Sequence, residues 1–139
     1  MPSSAEVLLD TSAAVAFVLQ GHEAHGTVAA RVAGLRRGLA GHARYETLSV
    51  LTRLPPAVRL APTDAATVVR RTFPGPVAVP AGWDADLAEE LGRLGVGGGA
   101  VYDALVGAAA RAAQTVLVTR DRRALETYTA LDVEVDLLP

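Results

Sequence analysis

Short apolar runs alternate along the chain with segments of helical length, and this alternation restricts the fold more than any other feature. The apolar run Val7–Leu9 predicts a strand. Residues 115–118 predict a buried strand, because a continuous apolar run of this length is typical of a strand covered on both faces. Residues 133–137 alternate apolar and acidic positions and predict a half-exposed strand. Strands separated by helices pair in parallel through right-handed crossovers. The sequence therefore predicts an α/β sandwich with a mostly parallel central sheet.

Apolar spacing, together with glycine and proline punctuation, predicts the helices. They cover residues 13–19, 25–35, 42–54, 62–72, 84–94, 100–112 and 122–129. Gly34 and Gly38 are expected to end the second of them. Tyr45, Leu48 and Leu51 are expected to face the core from the third. A further short strand is predicted at residues 77–79, and the 139 residues without repeats or linkers predict one domain spanning residues 1–139.

Composition excludes several classes of protein. The chain has no cysteine, which removes disulfides, zinc ribbons, thiolate catalysis and iron–sulfur ligation. All 13 basic residues are arginine, which removes the P-loop and Schiff-base enzymes, since both need lysine. The net charge of −2 attracts neither nucleic acid nor membranes, so phosphate binding would need a local arginine patch. The few aromatic residues argue against a base-stacking platform.

No apolar run reaches the length of a membrane span. The first six residues are too short and polar for a signal peptide, and the apolar run that follows contains Asp10. We therefore expect a soluble, cytoplasmic protein with no membrane partner.

Four acidic residues stand out by position. Asp10 and Asp121 follow predicted strands, whereas Glu46 and Asp103 interrupt apolar stretches of predicted helices. Because the carboxyl ends of parallel strands meet at one edge of a sheet, Asp10 and Asp121 are expected to lie close together. Neighbouring carboxylates repel, so near neutral pH one of them takes up a proton or a cation binds. Hard oxygen ligands favour Mg²⁺ or Mn²⁺, and an ion held in this way serves phosphodiester hydrolysis.

Each acid also has a purely structural interpretation. Asp10 and Asp121 could cap the helices that follow them, and Asp103 could face the positive end of a helix dipole. Glu46 could be solvated or could pair with His42 one turn earlier.

Hydroxyl and basic side chains accompany the acids. Ser12 and Thr119 are placed either to orient carboxylates or to cap the following helices. The arginines that flank the acids, as candidates for holding phosphates or as solvated residues, are Arg44, Arg120, Arg122 and Arg123.

Four motifs occur in register along the chain. They are Leu9-Asp10-Thr11-Ser12-Ala13, Tyr45-Glu46, Val101-Tyr102-Asp103-Ala104-Leu105 and Val118-Thr119-Arg120-Asp121. In size, motif order and spacing the chain resembles the PIN-domain ribonucleases, above all the VapC toxins of bacterial toxin–antitoxin pairs. The likeness covers essentially the whole chain, although residues 55–82 carry no family motif.

The resemblance implies a three-layer α/β/α fold and an endoribonuclease that depends on Mg²⁺ or Mn²⁺. It also implies an RNA substrate, a homodimer and inhibition by a VapB-like antitoxin. Carried over by position, Asp10, Glu46, Asp103 and Asp121 become the catalytic, metal-binding acids, with Asp10 and Asp103 holding the main ion. Ser12 and Thr119 match the supporting hydroxyl positions of the catalytic site.

Other functions stay open. A haloacid-dehalogenase-like phosphatase also places an aspartate after its first strand, but it needs a second aspartate where Ser12 stands and a lysine that this chain lacks. A PIN-fold module that binds RNA or a partner without catalysis would have no need for four mutually repelling acids. A solitary RNA-processing nuclease would differ from a toxin in lacking a neighbouring antitoxin gene.

Overall fold

The structure is a computed structural model that describes residues 5–75 and 83–139, so the strand predicted at residues 77–79 lies outside the described residues. Its strands form one sheet in the order β2-β1-β3-β4, and every pair is parallel. The strands are β1 Val7–Leu9, β2 Arg37–Leu39, β3 Leu117–Thr119 and β4 Val135–Leu137. The predicted parallel sheet is confirmed, with β4 as the half-exposed edge strand.

Helices connect the strands, as the alternation of the sequence predicts. They are α1 Thr11–Val18, α2 His25–Val32, α3 Ala43–Thr52, α4 Pro62–Thr72, α5 Trp83–Leu94, α6 Ala100–Ala113 and α7 Leu125–Ala130. A short 3-10 segment, Arg122–Ala124, precedes α7 and occupies the first half of the helix predicted at residues 122–129. In the ranges that the structure describes, no helix is long and apolar enough to cross a membrane.

Alternation along β1 divides the core into two faces. Val7 and Leu9 pack among apolar residues of α1, α2, α3 and α4, whereas Leu8 packs with residues of α6 and α7 on the opposite face. Successive side chains of a strand point to opposite faces of the sheet, so both faces of this sheet are covered by helices. The fold is therefore the three-layer α/β/α sandwich that the resemblance implied.

Strand β2 was not predicted, because Gly38 was expected to end a helix. That helix already ends at Val32, and Gly38 lies in the middle of β2. The Gly75 N–H donates to the carbonyl of Arg37 at 2.9 Å, and a Cβ on Gly38 would stand 2.9 Å from the Gly75 carbonyl oxygen. Glycine is needed here because another backbone segment passes too close for a side chain.

The orientation predicted for Tyr45 is also wrong. Leu51 is fully buried and Leu48 is partly buried against the core, as expected, but Tyr45 is 66% exposed. The side of α3 that faces the core carries Thr47 and Leu51, both fully buried. At about 100° per residue, Tyr45 lies roughly 200° around the helix from Thr47 and faces solvent.

Candidate active site

The parallel register of β1 and β3 brings the first acid to the carboxyl edge of the sheet. Leu9 pairs with Val118, and the Asp10 N–H donates to the carbonyl of Val118 at 3.1 Å. The side chain of Asp10 therefore lies beside Thr119, the last residue of β3. Asp10 is only 4% exposed, although it is a carboxylate.

The Asp10 carboxylate accepts hydrogen bonds on both oxygens. Oδ1 accepts from Ser12 Oγ at 2.6 Å and from the Ala13 N–H at 3.1 Å, while Oδ2 accepts from Thr119 Oγ1 and from the Tyr128 hydroxyl at 3.0 Å. The bond from Ala13 makes Asp10 the N-cap of α1, which confirms the predicted capping role of this residue. Burial raises the pKa of the Asp10 carboxyl above 3.8, and the four hydrogen bonds oppose that shift.

Glu46 and Asp121 are held by local contacts. Thr11 Oγ1 donates to Glu46 Oε2 at 2.9 Å, and His42 Nε2 lies 3.3 Å from Glu46 Oε1, which is the pairing considered above. Asp121 caps the 3-10 segment by accepting from the Arg123 N–H at 2.9 Å. Both carboxylates keep about a third of their surface exposed, with side-chain exposures of 35% and 28%. They are therefore anchored and still reachable from solvent.

Asp103 lies in the first turn of α6 and completes the group. Burial raises the pKa of its carboxyl, and the negative charges of Asp121, Glu46 and Asp10 raise it further. The four acids line one cleft of about 50 Å³, together with Thr11, Ser12, Val106 and Tyr128. The structure thus brings all four predicted acids and Ser12 together in one cleft. Thr119 does not line the cleft but donates a hydrogen bond to Asp10.

Tyr128 is a site residue that the sequence did not predict. It is 1% exposed, and burial together with the Asp10 charge strongly raises the pKa of its hydroxyl, so the group remains a proton donor to Asp10. The helical spacing of Ala124, Tyr128 and Leu131 does predict that Tyr128 faces the core. Nothing in that spacing indicates that its hydroxyl reaches a residue 118 positions away.

The donor chemistry of the cleft fits a hard divalent cation. Its polar groups are carboxylate and hydroxyl oxygens, which Mg²⁺ and Mn²⁺ prefer, and a cation would relieve the repulsion that raises the pKa of Asp103. Within residues 5–75 and 83–139, no three acidic or histidine side chains converge closely enough to enclose an ion. The partly exposed carboxylates of Glu46, Asp103 and Asp121 would therefore have to turn toward Asp10 when an ion binds.

Comparison with known proteins gives consistent matches. A family model described as the PIN domain matches residues 7–130. The chain is similar to Ribonuclease VapC27 of Mycobacterium tuberculosis (strain ATCC 25618 / H37Rv), with 43% identity over 127 residues that make up 91% of this chain and 93% of the relative. It is also similar to Ribonuclease VapC40 of Mycobacterium tuberculosis (strain CDC 1551 / Oshkosh), with 47% identity over 132 residues, 93% of this chain and 96% of the relative.

Proposed function

The chain belongs to the PIN-domain family, and on that basis we propose that it is a VapC-type endoribonuclease toxin that hydrolyses RNA phosphodiester bonds at the carboxylate cleft. The observation that carries this proposal is that one cleft is lined by all four acids, Asp10, Glu46, Asp103 and Asp121. A protein that only bound RNA would gain nothing from gathering four negative charges against a polyanion.

The cofactor that we propose is Mg²⁺, or alternatively Mn²⁺, with Asp10 and Asp103 as its main ligands and Glu46 and Asp121 completing the set. When bound, such an ion lowers the pKa of a water molecule and neutralises charge that develops on the phosphoryl group and the leaving oxygen. The donor set supports this assignment, since all four groups are carboxylates at one sheet edge.

Each residue of the cleft has a distinct task in this proposal. Asp10 is held by donors on both oxygens, so its carboxylate plane is oriented before substrate binds. Thr11 holds Oε2 of Glu46, which directs this carboxylate toward the cleft as a group that positions the attacking water. Thr119 and Tyr128 both donate to Asp10 Oδ2, so in this proposal they are positioning residues that act through Asp10.

Arg123 is one arginine candidate that can hold an RNA phosphate. Its side chain is 93% exposed, and its Nε lies 3.5 Å from Asp121 Oδ1. Arg120 makes structural contacts instead. Its backbone N–H donates to Ser12 Oγ at 2.9 Å, and its side-chain Nε donates to the Pro139 carbonyl at 3.1 Å. Of these two arginines, Arg123 is therefore the better placed to bind a phosphate close to the acids.

A VapB-like antitoxin and a second copy of the chain are the protein partners that we propose. Their support is the likeness to VapC proteins. An apolar groove of about 590 Å³, lined by Val18, Leu19, His22 and Val58 among others, offers one surface for an antitoxin helix. Co-expression with the product of a neighbouring small gene tests this partner, and Val58→Asp should weaken a complex in this groove without changing cleavage.

Cleavage of a mixed RNA pool tests the proposed activity. We expect the wild-type protein to cut in Mg²⁺ or Mn²⁺ but not in EDTA, and Asp103→Asn to lose cutting. Asp132→Asn is the matched control, since it removes one exposed carboxylate outside the cleft. Cutting that persists in EDTA, or in Asp103→Asn at the wild-type rate, would contradict the proposed site.

A further inference from the structure

Two tyrosines beside the cleft are unusually exposed. In the part of the chain that the structure describes, Tyr45 is 66% exposed and Tyr102 is 53% exposed. Each directly precedes an acid that lines the cleft, Tyr45 before Glu46 and Tyr102 before Asp103. The two rings are therefore carried by the same two helices that supply half of the carboxylates.

A stacked ring pair joins these helices across the edge of the cleft. The rings of His42 and Tyr102 have centroids 5.2 Å apart and planes inclined by 25°. The same histidine lies 3.3 Å from the Glu46 carboxylate. This offset stack is a favourable aromatic arrangement, and it places a flat ring surface directly next to the acids.

Tyr45 extends this surface along α3. At 3.6 residues per turn, His42, Tyr45 and Glu46 fall within a sector of about 100° around the helix. Tyr45 therefore lies one turn beyond His42 on the side of α3 that carries Glu46. We call Tyr45, His42 and Tyr102 the aromatic rim.

We propose that the aromatic rim stacks an unpaired base next to the phosphate that is cleaved. This inference rests on the proposed nuclease function and adds a base-binding surface to the site. The cleft of about 50 Å³ admits an ion and a few waters but no nucleotide, so the nucleotides on either side of a bound phosphate must lie on its edge.

Aromatic side chains are the groups on which single-stranded bases stack, whatever their sequence. The low aromatic content of the sequence argues against a base-stacking platform. The position of these rings beside the acids nevertheless matters more than the number of aromatic residues in the chain. The two tyrosines and the histidine stand beside Glu46 and Asp103, on part of the edge where flanking nucleotides have to lie. A base can stack on the rim only if its face is free, and a continuous A-form duplex covers base faces. The ligand of the rim is therefore a base that is not stacked inside a duplex.

Binding of labelled RNA to variants in an Asp103→Asn background with Mg²⁺ tests the rim without cleavage. The probes are a short single strand of mixed sequence and a blunt duplex that contains the same strand, both followed by fluorescence anisotropy. Tyr102→Leu and Tyr45→Leu should each raise Kd for the single strand by about 5- to 150-fold, while leaving duplex binding unchanged. Tyr102→Phe and Tyr45→Phe keep the rings and should bind within about twofold of the parent.

Leu94→Ala is the control, since Leu94 is an exposed apolar residue that does not line the cleft. Unchanged binding by both leucine variants would overturn the rim, even if the wild-type protein cleaves RNA. A change of oligomeric state in the leucine variants, measured by sedimentation, would show that the rim is an interface between copies and would also overturn it. Failure of the nuclease proposal is separate and would appear as a wild-type protein that cuts no RNA in either metal.

Discussion

Replacing Tyr128 by phenylalanine removes one hydroxyl from the deepest part of the site. The ring of Tyr128 stays buried, so the substitution changes little in packing. What it removes is the 3.0 Å hydrogen bond to Asp10 Oδ2, one of four that this carboxylate accepts. Asp10 is then left nearly buried with three donors.

The expected loss follows from the charge of the acceptor. A hydrogen bond to a charged group contributes about 1.5–3 kcal/mol. The variant no longer has to desolvate the tyrosine hydroxyl on folding, which offsets part of that loss. We expect Tyr128→Phe to lower the free energy of unfolding by about 2 kcal/mol at neutral pH. For a domain of this size that corresponds to a fall in Tm of about 6 °C.

The loss of stability in Tyr128→Phe should depend on pH. Burial raises the pKa of Asp10 in the folded protein, so the ionised carboxylate destabilises the fold at neutral pH, and this penalty is relieved as the pH falls. The bond from Tyr128 lowers that pKa, so it reduces the penalty, and the variant should take up its proton at a higher pH than wild type. The stability difference should therefore be largest at neutral pH and shrink as the pH falls toward 3.8, the ordinary value for aspartate.

Urea unfolding at neutral and at mildly acidic pH measures the loss of stability and its pH dependence. In the pH profile of the cleavage rate, the acidic limb should move to higher pH in the variant. Tyr45→Phe is the matched control, because it deletes the same hydroxyl from a side chain that is 66% exposed. A loss no larger than in this control, or a loss that is the same at both pH values, would refute the assigned role of Tyr128.

Three further substitutions test other parts of the same network. Without metal, Asp103→Asn should raise the free energy of unfolding at neutral pH, because it removes a carboxylate whose pKa is raised by burial and by three neighbouring negative charges. The gain should vanish at acidic pH, and Mg²⁺ should raise Tm in wild type more than in the variant. Thr47→Val should be neutral or should raise the free energy of unfolding by up to about 1 kcal/mol, measured in urea. The reason is that the fully buried Thr47 hydroxyl has no hydrogen-bond partner among the described residues. A clear loss of stability would show that the hydroxyl has a partner. Gly107→Ala places a Cβ 3.0 Å from Tyr128 Cδ1, so crowding should offset the gain of about 1 kcal/mol in helix propensity. The rate of cleavage should therefore fall while the free energy of unfolding changes little. Cleavage at the wild-type rate would show that the Tyr128 ring tolerates the shift.

Two departures from the predicted structure share a physical cause. Strand β2 has a glycine at its centre and no apolar alternation, and its position depends on a backbone segment near Gly75 that approaches from outside the strand. Tyr45 has the spacing of a core residue, but α3 packs through Thr47 and Leu51 instead. Local patterns predict which residues can be buried, and only the packing partner decides which of them are.

The sequence by itself determined the alternation of strands and helices and the location of Asp10 and Asp121 after two strands. Parallel pairing then requires these two acids to meet at one edge of the sheet, which is why a site there could be predicted without coordinates. Only the tertiary structure decided that Asp10 is buried beneath four donors and that the Tyr128 hydroxyl is one of them. The same holds for the exposure of the Tyr45 and Tyr102 rings. These features depend on strand register and helix packing between residues far apart in the chain, and no local pattern of residues records those distances.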